Sequence, residues 1–392
     1  MQSTSERLSE NGSLRDWSAA RPFPLGSPNA PPHPVFTETF SAYAESNFNN
    51  IGLHIDCSST GTRTKERKLI EELAALFHCP DAEGYITSGG TEGNLMGLWL
   101  GRENRGKTVV LTSDLAHYSV RKAARILNMG LELLPRREDG SIDPNALKEF
   151  LLATDATNVV VVLTIGHTTT GTIDAAEEID EVIRVCTARR QSLNVFLHID
   201  AAFAGFILPF TDPGLLFDFR LSCVQTLSVD GHKAGGMGYG CGFFLARKGL
   251  LNRLGDSVEY TGQLDRTFSG SRSGALAAAA YETFKAIGHD GYLEMARRGL
   301  DSKTQFLGRL SEVTSVQVIG SKSLNVAAIH FRDFPDGRLP LEFERRFGLT
   351  CTALDSGGKK ENFYKLYFMH YLTDEHIDTF MELLSEVTHH DL

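Results

Sequence analysis

No two of the six cysteines (Cys57, Cys79, Cys186, Cys223, Cys241 and Cys351) are spaced as C-x-x-C. A chain of 392 residues buries a large core without covalent staples. A disulfide scaffold is therefore excluded, and the thiols read as reduced in a cytoplasmic protein. Positive charge is not in excess: 39 Lys and Arg stand against 49 Asp and Glu, a formal net charge of −10. Broad binding of nucleic acid or of an anionic membrane needs clustered positive charge, so neither is expected as a partner. A local pocket for a phosphorylated small molecule remains compatible with this balance. The longest strongly apolar run, around Val159 to Ile165, is far short of a membrane span. The N-terminus, MQSTSERLSENGSLRDW, has no apolar stretch and is not expected to act as a signal peptide. There is no internal repeat. What is present is an ordinary globular composition, 42% hydrophobic and 22% charged, with length for two or three domains.

Residues 1–60 read as a tail followed by an extended, proline-rich arm, RPFPLGSPNAPPHPV being its clearest part. Between 61 and 289, amphipathic helical patterns (65–77, 91–100, 118–127, 175–185) alternate with short apolar β-type runs (108–111, 159–164, 195–199, 224–229, 242–246). Val159 to Thr164 has the β-branched, two-sided apolar character of a strand inside a parallel sheet. The predicted fold class is α/β, with a large domain built on a mainly parallel sheet. From 290 to 392 a long helix (291–310), two strands (316–319, 326–331), a short helix (341–347), a strand (364–369) and a final helix (373–387) predict a small C-terminal α+β domain.

Four glycine-rich or histidine motifs suggest other chemistries that their context does not support. GRENRGKT (101–108) fits the P-loop letters, but a helix precedes it and a strand follows, the reverse of what phosphate binding needs. GGMGYGCG (235–242) lacks the dinucleotide spacing and leads into a strand, and GSRSG (270–274) centres on Arg rather than a nucleophilic Ser. His198-x-Asp200 has no third ligand nearby, so no metal site is assigned and His198 reads as structural.

Four other segments fall at or beyond the C-terminal ends of predicted sheet strands, where ligands bind in open α/β sheets. TSGGTEGN (87–94) opens a helix with glycines and a threonine, an anion cup or simply a capped turn. HIDAAFAG (198–205) ends a buried strand on Asp200, costly unless paired, for example with a protonated ring nitrogen. The alternative is an aspartate capping the next loop. SVDGHK (228–233) places Lys233 after an apolar strand, either an amine nucleophile or a solvated lysine. His117, in HYS, can stack on a planar ligand or merely begin a helix. A phosphate cup, a pyridinium partner, an amine and a ring-stacking group are together the parts that pyridoxal phosphate needs.

TSGGTEGN, DLAHYSVRKAARIL, HIDAAFAGFILPF, VDGHKAGG and TFSGSRSGA give the chain a resemblance to the pyridoxal-phosphate-dependent group II amino-acid decarboxylases. Within them it is most similar to bacterial histidine decarboxylases and the smaller tyrosine/aspartate decarboxylases. The resemblance runs from about residue 45 to the C-terminus and implies the fold type I (aspartate aminotransferase-like) architecture. It implies Lys233 as the Schiff-base lysine, Asp200 as partner of the ring nitrogen and His117 stacked on the ring. It further implies Gly90, Thr91 and His232 on the phosphate, Ala202 against the other ring face and Thr168 close by. Ser271 and Arg272 would approach a neighbouring subunit's site, and Tyr260 would donate a proton. His167 and Asp230 depart from the usual pattern. An anion beside a phosphate is unfavourable, so Asp230 is expected to point away.

The expected activity is α-decarboxylation of an L-amino acid, with histidine or an aromatic amino acid the preferred substrate and aspartate or serine the alternatives. A decarboxylating oxidase or a carbon–carbon lyase would use the same scaffold. A non-catalytic nucleotide binder using GRENRGKT is the reading from another class. A homodimer is expected, with the arm clasping the partner.

Overall fold

Asn158–Thr164 is buried along its whole length, as an apolar β-branched run must be when helices cover both faces of a sheet. The surrounding architecture comes from a computed structural model, which describes residues 25–28, 30–45, 47–48, 61–103, 107–258, 263–356 and 359–390.

In chain order, helix α1 (Pro34–Ala42) and the two-residue strand β1 (Asn47–Phe48) precede α2 (Thr62–Leu76), β2 (Glu83–Thr87) and α3 (Gly90–Arg102). There follow β3 (Thr108–Thr112), α4 (Tyr118–Ile126), β4 (Gly130–Leu133), α5 (Pro144–Ala153), β5 (Asn158–Thr164), α6 (Ala176–Arg189) and β6 (Asn194–Asp200). The short α7 (Leu208–Thr211) leads to β7 (Val224–Asp230) and β8 (Gly242–Ala246). These strands form one seven-stranded sheet in the order β2-β8-β7-β6-β5-β3-β4. Strands β3 to β7 pair in parallel, and β8 runs antiparallel to both its neighbours. The C-terminal ends of β6 and β7 therefore lie side by side near the middle of the sheet, beside the return into β8.

Strands β9 (Asp256–Val258) and β10 (Gln263–Asp265) pair with each other, and β11 (Arg272–Ser273) pairs with β1. Helix α8 (Gly274–Val313) then links the large sheet to a second layer. This layer comprises β12 (Val316–Ile319), β13 (Val326–Phe331), α9 (Leu341–Arg346), β14 (Cys351–Ser356), β15 (Lys359–Tyr367) and α10 (Asp374–His390). Its four strands are antiparallel, in the order β12-β13-β15-β14. They bury an aromatic core that includes Phe306, Phe331, Phe343, Phe347 and Phe380. The fold is α/β with a mainly parallel large sheet and a smaller antiparallel C-terminal sheet.

Several elements differ from the sequence expectation. The helix expected over 291–310 begins at Gly274, where the Ser273 hydroxyl accepts from the Leu276 N–H at 3.1 Å. It breaks only at Gly288 (φ 64°, ψ 178°). The arm is not wholly extended. Helix α1 starts at Pro34, Leu25 and Phe36 are buried, and the Leu25 carbonyl accepts from the Tyr367 N–H at 2.7 Å. Helix α3 ends at Arg102 and β3 begins at Thr108, so GRENRGKT joins a helix to a strand, as its context implied. No described helix is long and apolar enough to cross a membrane.

Candidate active site

Helix α3 lies across β6, β7 and β8 unusually closely. Two glycines make this possible. A Cβ at Gly93 would stand 2.6 Å from the Ser228 Cβ, and one at Gly97 would stand 2.5 Å from the His198 Nδ1. At the start of α3, Gly89 adopts φ +127°, and a Cβ at Gly90 would meet the Ala202 Cβ at 3.1 Å. Glycine is therefore required here for a close approach of the backbone.

The end of β7 supplies the next layer. The Gly90 N–H donates to Asp230 Oδ1 at 2.6 Å, and Lys233 Nζ stands 3.0 Å from Asp230 Oδ2. Asp230 thus faces the cup rather than pointing away. The reason is local: a buried carboxylate takes its donors from a helix N-terminus and an ammonium. His232 donates from Nδ1 to the Cys241 carbonyl at 2.9 Å and turns Nε2 toward Asp230 at 3.7 Å. Only 15% of the Lys233 side chain is exposed.

Asp200 ends β6 and is 3% exposed. Its Oδ1 accepts from the Ala202 N–H at 3.1 Å and its Oδ2 from the Asn94 amide at 2.7 Å. Among the described residues it forms no ion pair. A buried carboxylate held only by neutral donors is suited to a cationic partner. His117 caps α4, its Nδ1 2.7 Å from Ser119 Oγ. Burial pushes the His117 imidazole below its ordinary pKa, although Asp200 opposes this. The Thr168 carbonyl accepts from Tyr367 Oη at 2.7 Å, which ties this loop to the small sheet.

A continuous path of contacts thus runs Lys233–Asp230–Gly90 and, through the bond from the Asp230 N–H to the Ala202 carbonyl (3.2 Å), on to Asp200, Asn94, Ser119 and His117. Thr91, at the start of α3, is exposed. Ser271 is exposed just before β11, while Arg272 is engaged within its own chain by Glu66 and lies over the Tyr85 ring at 5.0 Å. Tyr260 lies outside the described residues. His167 is fully buried, with Nε2 3.4 Å from Asp174 Oδ1. Burial opposes its charge, but Asp174, with the Leu115 carbonyl and Asp200, outweighs this and its pKa rises. His198 is no metal ligand: Nδ1 lies 2.8 Å from Thr226 Oγ1 and Nε2 lies 2.9 Å from Asn94 Oδ1. Asn94, Ser119, Ser228 and Thr226 were not singled out from sequence. An asparagine in a glycine-rich turn reads as a turn former, and only the α3–sheet contact shows what it touches.

The residues fit pyridoxal phosphate. Residues 49–333 match the model of the pyridoxal-dependent decarboxylase conserved domain. The chain belongs to the pyridoxal-dependent decarboxylase family. Its cofactor is pyridoxal phosphate and its reaction class is that of a carboxy-lyase. This decarboxylase is 30% identical over 360 residues to a probable L-tyrosine/L-aspartate decarboxylase of Methanothrix thermoacetophila, covering 91% of this chain and 88% of that one. It is 30% identical over 249 residues to a histidine decarboxylase of Morganella morganii, covering 63% and 65%. In fold it is similar to a glutamate decarboxylase of Lactobacillus brevis, with TM-score 0.83, 20% identity and coverage of 100% and 94%. That likeness gives the fold type I architecture.

Proposed function

We propose that this decarboxylase releases the α-carboxyl group of an L-amino acid as CO₂, with histidine or an aromatic amino acid as substrate. The observation that carries the reading is the unbroken path of contacts from Lys233 to His117. Relatives named for tyrosine/aspartate and for histidine support the substrate class.

Bound pyridoxal phosphate supplies an electron sink for the pair left when CO₂ departs. The chain's own residues do the rest. Gly89, Thr91 and His232 would hold the phosphate at the N-terminus of α3, joined by the Gly90 N–H once Asp230 Oδ1, 2.6 Å away, gives it up. Lys233 would be the amine that holds the cofactor, and Asp230, 3.0 Å from Nζ, would take or return the proton of that amine. Asp200 keeps a proton on the ring nitrogen, as a buried anion favours a cationic neighbour. Ala202 and His117 would hold the ring between them, and His117, which burial keeps neutral, would not repel a protonated ring nitrogen. Thr168 lines the same space. Ser271 serves the site of a second subunit.

We also infer a homodimer. Tyr118 is 62% exposed with its ring tilted against His117 at 4.3 Å between centroids, and Tyr239 is 86% exposed and lies 4.9 Å from the His232 ring. Large rings left uncovered beside a site fit burial against a second copy. The five described cysteines are unpaired, which fits a cytoplasmic setting.

The test is CO₂ and amine release from a panel of L-amino acids, with wild type, Lys233→Ala and Asp200→Ala loaded with pyridoxal phosphate. Histidine or an aromatic substrate should be turned over. Asp200→Ala should retain cofactor yet lose about 10²–10³-fold in kcat, as when one preorganised electrostatic partner is removed. Lys233→Ala should lose the wild type's visible absorption. Turnover of aspartate alone would overturn the substrate class, and hydrogen peroxide production would point to an oxidase.

A further inference from the structure

We propose that Asn94 is a positioning residue that aims the Asp200 carboxylate and, through Ser119, fixes the ring of His117. The inference rests on the reading of Asp200 as partner of the cofactor's ring nitrogen.

Asn94 is buried, and all four of its side-chain hydrogen-bonding positions are used. Its amide donates to Asp200 Oδ2 at 2.7 Å and to Ser119 Oγ at 2.9 Å. Its Oδ1 accepts from Ser228 Oγ at 3.1 Å and from His198 Nε2 at 2.9 Å. The amide orientation follows from charge. A flipped side chain would turn its oxygen toward the Asp200 carboxylate, acceptor against acceptor. The orientation then dictates the neighbours. His198 must carry its proton on Nε2, so its Nδ1 accepts from Thr226 Oγ1 at 2.8 Å. His117 Nδ1 also accepts from the Ser119 N–H at 3.4 Å, so it is an acceptor, and Ser119 Oγ, which accepts from Asn94, donates its own hydrogen to it at 2.7 Å. Neutral His117 consequently carries its proton on Nε2. One amide thus aims an anion, sets the tautomer of His198 and orients the hydroxyl that holds His117.

Removing the amide donor raises the proton affinity of Asp200 and loosens its aim. Both effects draw a proton away from a ring nitrogen bonded to it. A side chain present only to fill space between α3 and the sheet would have neither effect.

The test uses holoenzyme loaded with pyridoxal phosphate labelled with ¹⁵N at the ring, in wild type, Asn94→Ala, Asn94→Ser and Ser119→Ala. The wild-type resonance should be that of a protonated ring nitrogen at neutral pH. In Asn94→Ala it should move toward the unprotonated value. In parallel, kcat should fall roughly 10- to 100-fold, the usual cost of losing an outer-shell partner, with KM within about threefold, since ground-state binding is retained. Ser119→Ala should leave the ¹⁵N resonance unchanged and alter the NMR titration of His117. Should Asn94→Ala fail to fold, Asn94→Ser is judged by the same criteria. A wild-type resonance and kcat in the Asn94 variant, with only a lower unfolding midpoint, overturns the proposal and leaves a packing role. An unprotonated ring nitrogen in wild type instead sinks the reading of Asp200, a distinguishable failure.

Discussion

Lowering the pH should destabilise this protein through His198 in particular. The imidazole is fully buried between α3 and the sheet, and burial pushes its pKa from 6.5 down to about 4, although Asp200 pulls the other way. The folded pKa lies below the unfolded one, so between these values the unfolded chain binds the extra proton. The His198 contribution is therefore complete above pH 6.5, shrinks as pH falls, and is gone near pH 4. At 1.36 kcal/mol per unit, a displacement of about 2.5 units is worth about 3 kcal/mol. Many carboxylates also titrate in this range, so the informative quantity is a difference. Urea unfolding of wild type and of His198→Gln, whose amide can bond both Asn94 and Thr226, should be followed from pH 7.5 to 4. The two stabilities should converge by about 3 kcal/mol as pH falls, because only wild type gains the cost of the buried proton. Parallel curves, or an NMR midpoint for His198 near 6.5, would refute the reasoning.

Two further outcomes follow from packing. Gly97→Ala drives a methyl against the His198 ring, where Cβ would lie 2.5 Å from Nδ1, and should cost about 1–3 kcal/mol by overpacking. Gly308→Ala, in α8 with nothing within 4 Å, should instead gain up to about 1 kcal/mol in the same thermal-melt comparison. Arg272→Ala strands Glu66, whose Oε2 lies 3.0 Å from Arg272 Nη2 and whose side chain is 4% exposed. The variant should lose about 3–5 kcal/mol in denaturant unfolding, much of it recovered in Glu66→Gln/Arg272→Ala, which removes the unpaired charge.

The alternating pattern was readable because each β-run was apolar on both faces and each flanking helix on one. The α/β class and the mainly parallel sheet follow from that alone. Helix α5 was missed although Asp143 and Pro144 mark its start, and β2, with its single glycine and mixed burial, has no run to announce it. At the site, Lys233, Asp200 and His117 stood out in the sequence by position: Asp200 ends a buried strand, Lys233 lies in the turn just past one, and His117 opens a helix. Asp230 was misjudged because its helix-end donor, the Gly90 N–H, is 140 residues away in sequence. Asn94 stayed silent for the same reason. Its partners come from β6, β7 and the start of α4, and no local spacing encodes such a meeting.

The reversed strand β8 also sets the order in which the site can come into being. Asp200 ends β6 and Lys233 lies in the turn after its neighbour β7, a turn that closes within the single antiparallel pair β7–β8. The glycine turn that opens α3 follows β2, whose partner in the sheet is β8, with Thr87 opposite Gly242. Such distant pairings form late, because the chain must close a long loop before it gains the contacts. On a ribosome the β2 edge therefore stays unpaired until β8 has emerged. Cofactor uptake during refolding becomes a clock for closure of the sheet's β2 edge, slower than the appearance of helix and read by colour rather than by circular dichroism.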